Sequence, residues 1–273
     1  MKNTTAIAIG GFDGMHIGHQ HLFNELGDNG TIVVIETQYA NLTPKRTRQN
    51  YTSYPIFYLK LEDIRSLDGK AFIALLKETF PALQKIVVGY DFYFGKDRKY
   101  SFNDLKTLFD GEVVVVEEVK YNTISIHSRT IRTMIQQGDI KGANTFLGHY
   151  YTLSAKHVQG QGIGKKELVA TLNVEVEDFL IPKDGVYVTL SKVDDEKYFH
   201  PSISFVGYRV STDNKFAIET HILDGEILCK ENVTISFIAY LRENKKFENL
   251  SALKSAIQKD IVLAKKELEL LEQ

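Results

Sequence analysis

The chain has 273 residues, with 33 Lys+Arg against 35 Asp+Glu and a formal net charge of −2. That balance argues against a basic surface for coating a duplex and against an acidic tail, so no nucleic-acid partner is expected. One cysteine, Cys229, excludes an internal disulfide and a multi-cysteine zinc site. No apolar run approaches the ~20 residues of a membrane span, and no signal-like start is present. The expectation is a cytoplasmic protein, monomeric or weakly self-associating, with small-molecule ligands and no membrane partner. Its length allows two domains.

The first half alternates strand and helix signals. Thr5 to Ile9 reads as a buried strand, His19 to Leu26 as a helix with Leu22, Phe23 and Leu26 on one face, and Thr31 to Ile35 as a second strand. Tyr39 to Ser53, polar and carrying Pro44, Lys45, Arg46 and Arg48, reads as a mobile loop. Phe57 to Leu61 is a strand or a short helix, and Gly69 to Thr79 an amphipathic helix. Gln84 to Val88 and Glu112 to Val116 are strands, and Phe102 to Phe109, Ser128 to Gln137 and Ile140 to Leu147 are helices. This alternation predicts a doubly wound parallel sheet of α/β class, with ligands at strand C-terminal ends.

After Gly148 the chain turns to β-branched, alternating runs: Val158, Val174 to Val176, Gly185 to Leu190, Ile203 to Val206, Phe216 to Leu223 and Val233 to Ile238. Short turns between them predict a small antiparallel β-barrel. Ser251 to Leu271 sets Leu253, Ile257, Ile261, Ala264, Leu268 and Leu271 at helical spacing, the pattern of a packing helix. The domains are thus expected to be 1–150 and 151–273, with no internal repeat.

Chemistry concentrates first in Gly10-Gly11-Phe12-Asp13-Gly14-Met15-His16-Ile17-Gly18-His19, between the first strand and the first helix. Strand, glycine-rich turn and helix aim backbone N–H groups at an anion. His16 and His19, three residues apart, project to one side. Singly, a glycine turn or a lone histidine is commonplace; the combination is not. It lacks the Gly-Lys-Ser/Thr of a phosphate loop and the Gly-x-Gly-x-x-Gly of a dinucleotide fold.

This stretch resembles the HxGH signature of nucleotidylyltransferases, and its Gly-Phe-Asp-Gly lead-in is most similar to the bacterial bifunctional riboflavin kinase/FMN adenylyltransferases, the FAD synthetases. The resemblance implies that His16 and His19 donate to the bridging and leaving oxygens of ATP during adenylyl transfer. It implies nucleotide contacts at Gly11, Phe12, Asp13, Gly14 and Gly18, with Asp13 first a structural acceptor. Ile126-His127-Ser128-Arg129-Thr130-Ile131-Arg132 is similar to the family's Ile-Ser-Ser-Thr-x-Ile-Arg, which implies triphosphate contacts at Ser128 and Arg132. Alone, these read as a helix cap and a surface cation. His127 and Arg129 stand where the family has small hydroxyl residues. Val88-Gly89-Tyr90-Asp91-Phe92-Tyr93-Phe94-Gly95 resembles the flavin-side segment, implying flavin contacts at Asp91, Phe92 and Phe94; such aromatics are as often core. Glu36 to Asn41 replaces the family's Pro-His-Pro.

In the second half, Gly160, Gly162 and Gly164 in Val158-Gln159-Gly160-Gln161-Gly162-Ile163-Gly164-Lys165 suit a loop wrapping nucleotide phosphates, or an ordinary flexible turn. Leu168 to Asn173 aligns with the riboflavin kinase segment ending Pro-Thr-Ala-Asn, with Ala170 in place of the proline. It implies that Thr171 and Asn173 hold Mg²⁺ and phosphates. Ile218-Glu219-Thr220-His221 resembles the segment of the kinase base, a role carried onto Glu219. Together these imply a bifunctional enzyme that makes FMN from riboflavin and ATP, then FAD from FMN and ATP, with Mg²⁺. The alternative is an FMN adenylyltransferase with a degenerate flavin-binding barrel. A cytidylyl- or pantetheine-type transferase and a non-catalytic flavin carrier are further rivals.

Overall fold

Strand–helix alternation in the first half builds an open sheet. β1 (Ala6–Gly10) leads to α1 (Ile17–Asn24), β2 (Gly30–Glu36), β3 (Ile56–Lys60), α2 (Leu61–Ile64), α3 (Gly69–Thr79) and β4 (Lys85–Gly89). A small hairpin, β5 (Tyr93–Phe94) with β6 (Tyr100–Ser101), precedes α4 (Phe102–Leu108) and β7 (Glu112–Val116). Another, β8 (Lys120–Tyr121) with β9 (Ile124–Ser125), precedes α5 (Ser128–Gln137). The computed structural model describes residues 2–159, 170–211, 213–223, 225 and 228–271, and contacts divide the chain into units 1–130 and 131–273.

In the first unit five strands pair in parallel in the order β3-β2-β1-β4-β7, the doubly wound sheet that the alternation predicts. Ile7 and Ile9 of β1 enter one apolar layer with Phe72, Leu76 and Phe80, while Ala6 and Ala8 enter the other with Leu22 and Phe23. Both faces are covered, which is why these strands read as continuous apolar runs rather than alternating ones. Strand order reverses between β1 and β4, so the crevice beyond their carboxyl ends is the place for a ligand. The histidine turn follows β1, and the Tyr90 segment follows β4.

Two expectations change here. The stretch read as a mobile loop contains a 3₁₀ helix, Lys45–Tyr51, and Arg48 within it is only 2% exposed. One of its partners, the Phe12 carbonyl of the histidine turn, is 36 residues away, so no local pattern reveals that contact. Phe57 to Leu61, read as strand or short helix, is both: β3 runs to Lys60 and α2 starts at Leu61.

The second unit contains α6 (Ile140–Leu147), β10 (Tyr151–Val158), β11 (Leu172–Glu175), β12 (Gly185–Val193), β13 (His200–Tyr208), β14 (Phe216–Ile222), β15 (Asn232–Arg242) and α7 (Leu250–Glu269). Its strands close into an antiparallel barrel in the order β10-β11-β14-β13-β12-β15. Alternation sends Thr189, Ser191, Ser202, Ser204 and Thr220 into a buried network of mutual hydroxyl hydrogen bonds. Val186, Val188 and Ile203 cluster with Ala264, Ile261 and Leu268 of α7. Leu271, expected on the packing stripe, lies past the helix end and is 46% exposed. Among the described residues no helix is long and apolar enough to cross a membrane.

Candidate active sites

The turn after β1 is held in an unusual backbone path. Phe12 and Met15 have φ of 46° and 44°, left-handed values that side chains rarely adopt, on either side of Gly14 at 88°. Each such non-glycine residue costs on the order of 1–3 kcal/mol, and strain of this kind gathers at functional sites. The path is fixed from the loop after β2. Asp13 accepts from the amides of Asn41 (3.2 Å), Leu42 (3.0 Å) and Thr43 (2.9 Å), and Gly14 N–H donates to the Thr43 hydroxyl at 2.7 Å. Below it, Arg48 Nε donates to the Phe12 carbonyl at 3.3 Å and Nη1 to the Lys45 carbonyl at 2.9 Å. Burial pulls the Arg48 guanidinium below its ordinary pKa, and the nearby Asp13 carboxylate opposes that pull.

On this base the two imidazoles stack, with ring centroids 3.5 Å apart and planes 19° from parallel. Phe12 supports His19 edge-on at 5.1 Å. Gly18 is there because a Cβ would lie 3.2 Å from the His16 ring. His16 is 4% exposed, and His19 Nδ1 is buried without a hydrogen-bond partner among the described residues. Burial holds the His19 pKa well below the ordinary imidazole value, and the positive charges of His16, Arg48 and His127 push it the same way. Burial thus disfavours the charged form of His19.

Ser128, the first residue of α5, donates its hydroxyl to the Asp13 carbonyl at 2.7 Å, which joins it to the turn. Arg132 follows four residues later, half-buried. Gly11 is exposed with open space where a Cβ would be, whereas Phe12, Asp13 and Gly14 are buried and tied to the supporting loop. These three hold the turn. The rings of Phe92 and Phe94 are core: they stack on each other at 5.8 Å and are 9% and 4% exposed, while Asp91 stays exposed. Strand β5 turns the Phe94 ring inward, and Phe92 precedes that strand.

In the barrel, Asn173 of β11 and Glu219 of β14 are direct cross-strand partners, and Phe205 of β13 continues the row. Arg209 donates from Nη1 to Glu219 Oε1 at 3.2 Å, and from Nε and Nη2 to Asp213 at 3.0 and 2.9 Å. Burial raises the Glu219 pKa, with Arg209 opposing. Thr171 lies just before β11, and the Ala170 carbonyl beside it bonds His221 Nδ1 at 2.7 Å. Gly160, Gly162 and Gly164 lie outside the described residues. Thr171 and Asn173 offer neutral oxygens, the donor type a hard divalent ion takes; among the described residues no group of three His, Cys, Asp or Glu could hold a metal by itself.

Sequence reasoning missed Thr43, Arg48, Arg209 and the Tyr90–Glu118 pair. Thr43 and Arg48 act on the turn 29 and 36 residues away and Tyr90 meets Glu118 28 residues away, whereas Arg209 reaches Glu219 ten residues on, across the β13–β14 connection.

The riboflavin kinase (flavokinase) family model matches residues 147–268. Curated proteins named bifunctional riboflavin kinase/FMN adenylyltransferase are similar over nearly the whole chain. That of Buchnera aphidicola subsp. Acyrthosiphon pisum is 28% identical, with 97% of this chain and 94% of the relative covered. That of Pseudomonas fluorescens is 28% identical, with 94% and 91% covered. A crystal structure from Streptococcus pneumoniae, described as a macrolide-efflux protein, superimposes with a TM-score of 0.84 at 25% identity, covering 97% of this chain and 95% of that one. With the histidine turn in one unit and the Asn173–Glu219 row in the other, the chain is similar over nearly its whole length to proteins named bifunctional riboflavin kinase/FMN adenylyltransferase.

Proposed function

We propose that this chain phosphorylates riboflavin to FMN in residues 151–273 and adenylylates FMN to FAD in residues 1–150, using ATP in both steps. The observation that carries the reading is the stacked pair His16–His19 at the carboxyl end of β1, fixed by Asp13 and Arg48. In adenylyl transfer an FMN phosphate oxygen forms a bond to the α-phosphorus of ATP, and the α–β anhydride bond breaks to release pyrophosphate. Charge accumulates on the bridging and departing oxygens, where N–H donors placed in advance are most effective. The imidazoles and the start of α1 supply them, with Ser128 and Arg132 as further phosphate contacts.

In the barrel, Glu219 takes the proton of the ribityl hydroxyl as its oxygen attacks the γ-phosphorus and the β–γ anhydride bond breaks to release ADP. Arg209 engages Oε1, which leaves Oε2 for the substrate, and burial brings the carboxylate closer to the working pH of a base. Thr171 and Asn173 would hold Mg²⁺, which supplies charge neutralisation on the phosphates when bound. A cytoplasmic location fits the substrates and the single cysteine.

Incubation with riboflavin, ATP and Mg²⁺, followed by chromatography, tests both steps: FMN is expected first and FAD after it. Conversion of supplied FMN with riboflavin untouched would leave only the adenylyltransferase.

A further inference from the structure

The third imidazole near the histidine turn is His127, which stands where the family resemblance has a serine. It is brought there by its neighbours on both sides. The Ile126 carbonyl lies 3.6 Å from the position a Cβ on Gly18 would take, and Ser128 bonds the Asp13 carbonyl at 2.7 Å. Its charge reaches far enough to disfavour protonation of His19.

The ring is oriented rather than loose. Nε2 lies 3.2 Å from the Tyr90 hydroxyl, which in turn donates to Glu118 Oε1 at 3.4 Å, and Nε2 itself is 3.9 Å from that oxygen. Ser125 donates to the same oxygen, and Lys120 pairs with Oε2 at 2.7 Å. Those contacts, Lys120 and Ser125 above all, keep the Glu118 carboxyl below its ordinary pKa. The relay fixes one direction: Nε2–H donates to the Tyr90 oxygen, and Tyr90 O–H donates to the carboxylate. Nδ1 has no partner among the described residues, and the side chain is 41% exposed. A ring held through one nitrogen, with its charge felt at His19, is more organisation than a surface histidine needs. Tyr90, Glu118, Lys120 and His19 are the titratable groups that face it from the other elements.

We infer that His127, oriented by Tyr90 and Glu118, is a further phosphate-binding residue of the adenylyl-transfer site and holds the polyphosphate anion of ATP or pyrophosphate through Nδ1. The inference rests on the adenylyltransferase reading above. An imidazole held by Nε2–H presents Nδ1 as an acceptor when neutral and as a second donor when protonated, and only the protonated form suits a phosphate oxygen. Tyr90 and Glu118 act as positioning residues.

The test compares the native chain with His127→Asn, His127→Ser and His127→Lys in FMN adenylylation. Near pH 6, His127→Asn is expected to raise KM for ATP about tenfold, the size of one charge-assisted hydrogen bond, with kcat little changed. His127→Lys supplies a cation at the same place and should keep the low KM. Calorimetry with inorganic pyrophosphate, which needs no turnover, should show the same order of affinities. Equal KM and equal pyrophosphate affinity for the native and Asn proteins near pH 6 would overturn the inference. A native protein that makes no FAD would instead sink the adenylyltransferase reading, and pyrophosphate binding would still decide the role of His127.

Discussion

Asn173 and Glu219 sit opposite each other on paired antiparallel strands, β11 and β14, so their side chains leave the same face of the barrel. That places an amide oxygen suited to a phosphate-bound cation next to a carboxylate suited to a proton. Glu219→Gln keeps the shape and the Arg209 contact but removes the base. Riboflavin phosphorylation should fall about 10²–10⁴-fold, the usual contribution of a positioned base, while supplied FMN is still converted to FAD. Chromatographic product analysis reads both. Unchanged FMN production by the variant would remove Glu219 from the chemistry.

The stacked imidazoles also bear on stability. Folding pulls the His19 pKa well below 6.5 through burial and then through His16, so the unfolded chain binds this proton more readily than the folded one. The stabilising term is fully present above the unfolded value of about 6.5 and is lost as pH falls from there toward the folded value. His19→Gln has no such proton to bind. The urea midpoint of the native chain should therefore drop faster than that of the variant between about pH 7 and pH 5. Parallel curves would mean that His19 titrates alike in both states.

The fold was legible because its signals are local. Gly69–Thr79, Ser128–Gln137 and Ile140–Leu147 emerge with the boundaries their periodicity and caps suggest, Asp68 accepting from Ala71 N–H and Asp139 from Gly142 N–H. The histidine turn was legible because Gly, His and their spacing carry the chemistry themselves. Its support was not. Asp13 reaches residues 41–43 and Arg48 reaches Phe12, contacts that exist only once β1 and β2 pair. Phe92 and Phe94 show the opposite limit, since an aromatic in sequence does not say whether it faces core or ligand.

Gly18 has a single steric duty. It lies on α1 at an ordinary helical position, where alanine is intrinsically preferred by about 1 kcal/mol. A Cβ there would meet Cε1 and Nδ1 of His16 at 3.2 Å, and His16 is held between His19 and the turn. Gly18→Ala should accordingly leave the melting temperature near native while FMN adenylylation falls about tenfold or more, because a donor displaced by tenths of an ångström loses much of its effect. Riboflavin phosphorylation should not change. A variant as active as the native chain would show that the ring shifts without cost.

The barrel's terminal helix is fastened by one nearly buried ion pair. Asp260 of α7 is 5% exposed and accepts from Arg242 Nε at 2.9 and 3.0 Å and from Nη2 at 2.6 Å. Arg242 is 24% exposed and also donates from Nη1 to the Glu243 carbonyl, so water and that carbonyl soften the loss when Asp260 goes. Asp260→Ala should cost about 2–3 kcal/mol, toward the lower end for a broken buried pair. Replacing both partners with leucine should recover most of it, since neither charge then has to be desolvated. Chemical unfolding of the full chain, followed by hydrogen exchange of the barrel amides, measures both. If the single variant loses less than about 0.5 kcal/mol, the range of an exposed pair, then α7 is held chiefly by the packing of Ile261, Ala264 and Leu268. A lowered midpoint with an unchanged KM for riboflavin would separate the docking of the helix from the chemistry of β11 and β14, which lie on other strands than those α7 covers.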